Sequence, residues 1–338
     1  MWKRISAVFL AASLIVASLV IAGCGGQAGA DTAGSQEKGD KKVVRIAIMN
    51  SVAFLPIYLA RDQGWIEEAL KPYNVEVKWT EFTAGPPMNE SFAAGQQDIG
   101  TIGDAVVSAI ANGQDNKLIA ITHGAPSYAI IVPGDSAIKS VSDLKGKKIG
   151  VALGTSAHNL VEKALAKNGL QTSDVTLINV PYSDSESVLN NKHVDAVATW
   201  EPLVTQLETK GNNIIASGAD VGFKGTTELS VTSKFLADNP DVTKVILAQY
   251  YRAAREYEAH PDQYADQLAK DFGLDKPSLI KSAKKYDFAR EFSDDDVAAL
   301  QDVSHFLFSV KGISSEIDVK PYITNDVIKQ VIADQSKK

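Results

Sequence analysis

From residue 43 to residue 232, short apolar runs alternate with amphipathic stretches, and this alternation limits the available folds more than any other feature. The runs at 43–49, 75–82, 98–101, 118–122, 128–132, 149–153, 175–180, 194–199, 213–217 and 229–232 read as strands. Helices are predicted between many of them, at 55–63, 84–94, 103–112, 183–190 and 203–210, with another closed by Asn168-Gly169. Such alternation calls for mostly parallel sheets with helices on both faces. Beyond Asn239 the pattern turns helical, at 242–257, 262–271, 277–286, 294–310 and 325–334. Ser293 and Asp296 have the spacing of a capping box at the start of the fourth. Helices without strands of their own are expected to pack back on the first sheet. The chain therefore reads as α/β with two lobes. Lobe one is discontinuous, 43–126 and 229–338, and lobe two, 127–228, is inserted in it. The cleft between them is the natural ligand site.

Three helix starts carry glycine or hydroxyl residues. After the strand at 149–153, Gly154 frees the backbone and Thr155 or Ser156 can cap a helix whose Leu160, Val161, Ala164 and Leu165 share a face. Gly85-Pro86 and Gly103-Asp104 open two more helices, both in lobe one. First-turn N–H groups have no partner within the helix, and each helix end favours an anion by roughly 0.3–1 kcal/mol. If the three starts converge, both lobes share one anion. Asp104 fits that poorly as a carboxylate and reads either as an N-cap or as a ligand contact. Trp200 and Phe54 each follow a strand and read as pocket wall or as core. Glu201 precedes Pro202, so it is either an N-cap or first-turn residue of the next helix or a partner for an amine or other donor group of a ligand. His158 lies one turn into its helix and is a further candidate. His123, His193, His260 and His305 read as surface or packing residues.

The five histidines show no metal-ligand spacing, and neither a nucleophile elbow nor a phosphate-binding loop occurs. No catalytic residue, metal or cofactor is therefore expected. A net charge of −7 argues against nucleic acid as partner. The N-terminus begins with Lys3 and Arg4, continues with an apolar stretch from Ile5 to Ile21, and reaches a single cysteine, Cys24. Ile21-Ala22-Gly23-Cys24 resembles a bacterial lipobox, which implies a lipoprotein signal peptide over 1–23 and lipid attachment at Cys24. Removing Lys3 and Arg4 takes two positive charges from −7 and leaves −9. Residues 24–42 read as a flexible tether reaching on the order of 20–25 Å. The folded part is then expected outside the cytoplasmic membrane, anchored by lipid.

Four stretches together carry a wider resemblance: Glu81-Phe82-Thr83-Ala84-Gly85-Pro86, Asp98-Ile99-Gly100-Thr101-Ile102-Gly103-Asp104, Gly154-Thr155-Ser156-Ala157-His158-Asn159 and Asp195-Ala196-Val197-Ala198-Thr199-Trp200-Glu201-Pro202. The chain resembles solute-binding lipoproteins of bacterial ABC importers in the sulfonate, taurine and nitrate group, most closely the aliphatic sulfonate binders. The resemblance implies a two-lobed periplasmic-binding-protein-like fold of class II that closes on a small-molecule anion by a hinge. It also implies a monomer serving separate permease and ATPase chains, with ligand roles for Ser51, Gly103, Asp104, Thr155, Ser156, His158 and Trp200. Glu201 and Pro87-Met88 depart from the family pattern, leaving an aliphatic or aryl sulfonate, taurine and nitrate as alternatives. An anchored ligand sensor is a further reading. Thiamine-precursor synthases share the fold, but they carry a cysteine-rich segment that this chain lacks.

Overall fold

The computed structural model describes residues 41–337. The expected signal peptide, nearly all of the tether and Cys24 lie outside the described residues. Among the described residues, eleven strands form two sheets. In chain order they are β1 (Lys42–Met49), β2 (Val75–Phe82), β3 (Ile99–Ile102), β4 (Asn116–His123), β5 (Tyr128–Val132), β6 (Lys148–Val151), β7 (Thr176–Asn179), β8 (Ala196–Trp200), β9 (Asn213–Ser217), β10 (Thr226–Thr232) and β11 (Asp287–Arg290). The first sheet has the order β11-β4-β10-β3-β1-β2, and the second β7-β6-β8-β5-β9.

Both sheets are mixed, which corrects the expectation of mostly parallel ones. β1 runs parallel to β2 and β3, and β6 runs parallel to β7 and β8, each strand feeding a crossover helix. β10 and β5 run the other way, each antiparallel to both of its neighbours. The reason is the path of the chain. These two strands arrive directly from the other sheet, so they begin at the edge where the parallel strands end. Tyr128, the first residue of β5, lies opposite Trp200, the last of β8. Carboxyl ends of parallel strands and amino ends of reversed strands thus meet in one place.

β10, reached by the return crossing, begins at Thr226, three residues before the predicted strand. The two crossings are tied together by the Gly124 N–H, which donates to Gly225 O at 2.8 Å. Gly225 has φ +62°, and a Cβ at Gly124 would lie 2.4 Å from the Tyr286 ring. Both positions need glycine.

The helical tail covers the first sheet, as its sequence suggested. Helix Pro240–Ala259 buries Val242, Ile246, Tyr250, Ala253 and Ala254, a spacing of three and four, in the same core as β1, β3 and β4. The second sheet is covered on both faces, by helix Ser156–Lys167 on one and by helices Ser185–Asn190 and Leu203–Thr209 on the other. One tail element departs from expectation. The helix predicted at 277–286 stops at Ala283, and β11 follows as an edge strand on β4. Ala289 has φ +52° within it, so four residues give no alternation to read.

Candidate ligand-binding site

Where the strand ends meet there is a small pocket lined from both sheets. Met49, Ser51, Gly85, Gly103, Asp104, Ala105 and Thr227 line it from the first sheet, and Tyr128, Thr155, Ser156 and Trp200 from the second. The halves touch across it: a Cβ at Gly103 would lie 3.7 Å from Ser156 Oγ.

The three helix starts do converge. Gly85 opens helix Gly85–Ala93, and a Cβ there would sit 2.4 Å from Ala105 Cβ at the start of helix Ala105–Ala111. Glycine lets these two starts approach. Ser51 caps the turn after β1 by accepting from Ala53 N–H at 3.3 Å. Thr155 occupies the N-cap of helix Ser156–Lys167, yet its hydroxyl donates to Ala152 O at 2.7 Å. Its proton is committed to the loop, so the Ser156 hydroxyl and the first-turn N–H groups are the donors left at this end. Trp200 stacks on Tyr182 with ring centres 4.7 Å apart, and its buried Nε1–H has no acceptor. Tyr128 packs edge-on against Phe223 at 5.3 Å. Thr227 Oγ1 is also buried without a partner.

Five sequence candidates lie outside the lining. Phe54 is 1% exposed within the core, because the turn after β1 points inward. Pro86 faces solvent. Gly154 supplies a turn at φ +75°, and its N–H donates to His158 Nδ1 at 3.2 Å. His158 is buried edge-on against Phe306 at 5.2 Å, between the helix after β6 and the tail. Glu201 is fully buried away from the pocket. It accepts from Thr205 N–H at 3.0 Å and Thr205 hydroxyl at 2.8 Å, and pairs with Lys285. It stands one residue before the N-cap, Pro202, and its carboxylate serves the start of helix Leu203–Thr209 rather than facing the pocket. Met49, Ala105, Tyr128 and Thr227 escaped sequence reasoning. For Tyr128 and Thr227 the sequence carried no signal, because they reach the pocket at the start of reversed strands.

The charge balance of the pocket is unusual. None of its lining residues is lysine or arginine. Asp104 stands at an N-cap position, but its side chain makes no cap hydrogen bond. It is 2% exposed, and neither carboxyl oxygen has a hydrogen-bond partner. Burial pushes its pKa up to about 7, with Ser156 and Lys163 offsetting part of the rise and Asp302 adding to it. Behind it, Glu228 on β10 is equally buried and unpartnered, and burial together with Asp104 holds it well above the usual carboxylate range. Asp296 differs. Burial raises it, but Ser293 and His123, the latter at 2.8 Å, outweigh that and hold it low.

Comparison with known proteins places this geometry. The model of the family described as NMT1/THI5 like matches residues 51–264. A protein of Bacillus subtilis (strain 168) named for binding aliphatic sulfonates is 34% identical over 96% of this chain and 96% of its own. The alkanesulfonate-binding protein SsuA from Xanthomonas axonopodis pv. citri, solved with MOPS, superposes with a TM-score of 0.77 at 25% identity, covering 84% of this chain and 98% of that one. The desulfurization enzyme DszB also superposes, with a TM-score of 0.67 at 15% identity over 87% of this chain and 99% of its own, a likeness of fold alone.

Proposed function

This chain belongs to the NMT1/THI5-like family, and we propose that it is the extracytoplasmic solute-binding component of an ABC importer, capturing a small organic sulfonate and delivering it to a separate permease and ATPase. The observation that carries the reading is the pocket itself. Helix starts from both sheets, the Ser51 and Ser156 hydroxyls and the unpaired Trp200 Nε1–H surround a small space with donors. The Trp200 and Tyr128 rings supply an apolar wall for a tail. Three sulfonate oxygens use the donors and an alkyl or aryl group uses the rings. Nitrate has no use for the wall. Glu201, held by Thr205 and Lys285, offers nothing to the amine of taurine. We assign no catalytic role to the chain, whose one cysteine is Cys24.

In this reading the lobes are 43–126 with the tail, and the segment from 127 to the return crossing. They close on the ligand as a hinge around residues 124–127 and 218–225. Ligand should then lower the radius of gyration in small-angle scattering. Cys24 carries the lipid, so Cys24→Ser should release the protein from washed membranes. Calorimetric titration with ethanesulfonate, an aryl sulfonate, taurine, nitrate and a carboxylate tests the ligand. Sulfonates should bind at micromolar concentration or below. Tight nitrate binding with no sulfonate bound below millimolar would overturn the assignment.

A further inference from the structure

Asp104 is the one acidic residue among those lining the pocket, and both of its carboxyl oxygens are buried without a hydrogen-bond partner. We propose that Asp104 meets the ligand as a neutral carboxylic acid, donating its proton in a hydrogen bond to the anion, so that the bound complex always holds one proton on Asp104. The proposal rests on the reading that the ligand is a permanently ionised anion. A sulfonate has no proton to give at physiological pH, so the proton in any such hydrogen bond must belong to the protein. An ionised Asp104 would place two negative charges side by side in a buried pocket lacking a cation, which is strongly unfavourable. As an acid it becomes one more donor among Ser51, Ser156 and Trp200.

The surrounding groups support the neutral form. From the helix after β6, Ser156 and Lys163 face Asp104, and Lys163 is already paired with Asp302 of helix Asp294–Ser309 at 2.6 Å. From β10 comes Glu228, a second buried carboxyl without a partner, and from β5 comes Tyr128. Further back, His123 is bonded to Asp296. Lys163 is the cation that acts on Asp104, and Asp302 pairs with it.

The test is calorimetric titration of the purified protein with ethanesulfonate, which does not itself titrate, between pH 6 and 8.5. With an Asp104 pKa of about 7 in the free protein, the apparent affinity should weaken about 30-fold across that range. Titration near pH 8 in two buffers of different ionisation heat should show uptake approaching one proton per anion. Asp104→Asn keeps a donor but cannot gain a proton, so its uptake and pH slope should vanish. A slope that survives in Asp104→Asn would assign the titration to another group, such as Glu228, and overturn the proposal. Affinity that is flat, or that rises with pH, would overturn it in the wild-type protein without any variant. Absence of ethanesulfonate binding at every pH would instead remove the sulfonate reading, and this proposal with it.

Discussion

The loops after β3 and β8 present the same local problem and solve it in opposite ways. Each puts a carboxylate beside the start of a helix, Asp104 in one and Glu201 in the other, and each buries it almost completely. Glu201 is met by the Thr205 backbone N–H, the Thr205 hydroxyl and the Lys285 ammonium from the other side of the cleft. Asp104 makes no such bond in good geometry, and only the nearby Ser156 hydroxyl offsets part of its burial. The difference teaches how to separate architecture from function at a strand end. A buried carboxylate with its partners in the chain holds the fold together, whereas one without them has its protonation state left open to whatever enters the pocket.

The largest expected effect attacks the satisfied side. Lys285→Met leaves Glu201 charged in a fully buried place, which should cost about 3–5 kcal/mol of stability in urea unfolding. Asp104→Asn should cost nothing at pH 7, because it removes an acid the fold does not satisfy. Equal destabilisation by both would break the comparison.

Next comes the loss of a single donor. Trp200→Phe keeps a ring to stack on Tyr182 but removes the unpaired Nε1–H. If that group bonds a charged ligand, affinity should fall by about 1.5–3 kcal/mol in calorimetry with little change in melting temperature.

A third measurement sharpens the contrast through pH. The folded pKa of Asp104 lies above its unfolded value, so the native state keeps a proton that the unfolded chain releases. Its contribution to stability is therefore full below about pH 4, declines as pH rises toward 7, and levels off above that. Thermal unfolding between pH 5 and 7.5 should show the decline, and Asp104→Asn should reduce it, with Glu228 keeping its own share. Stability that rises over this range by the same amount in both proteins would contradict the assignment.

The smallest effect is expected at the seam between the helix after β6 and the tail. Lys163 and Asp302 pair at 2.6 Å, but both are partly exposed, at 30% and 48%. Lys163→Met should cost roughly 0.2–1 kcal/mol and become silent in high salt.

What could be read in the sequence was local. Gly85, Gly103 and Ser156 announce helix starts by residue type, and the structure gathers all three at one pocket. The packing of the helical tail followed from its periodicity. Contacts that depend on partners distant in the chain were not legible. Glu201 owes its orientation partly to Lys285, 84 residues away. Tyr128 and Thr227 line the pocket because their strands run backward, and direction leaves no mark on a five- or seven-residue run. Thr155 sits where expected, but nothing in its neighbours says that its hydroxyl turns back to Ala152.

A pocket lined by no lysine or arginine can answer charge only with partial charges, from N–H groups, hydroxyls and an indole. That limit sorts solutes by valence. One negative charge spread over three oxygens suits such a lining. A doubly charged oxyanion of similar size, such as inorganic sulfate or hydrogen phosphate, would bring a second charge into a dry space with two buried carboxyl groups behind it. Withheld countercharge is thus expected to separate them from a sulfonate where shape does not.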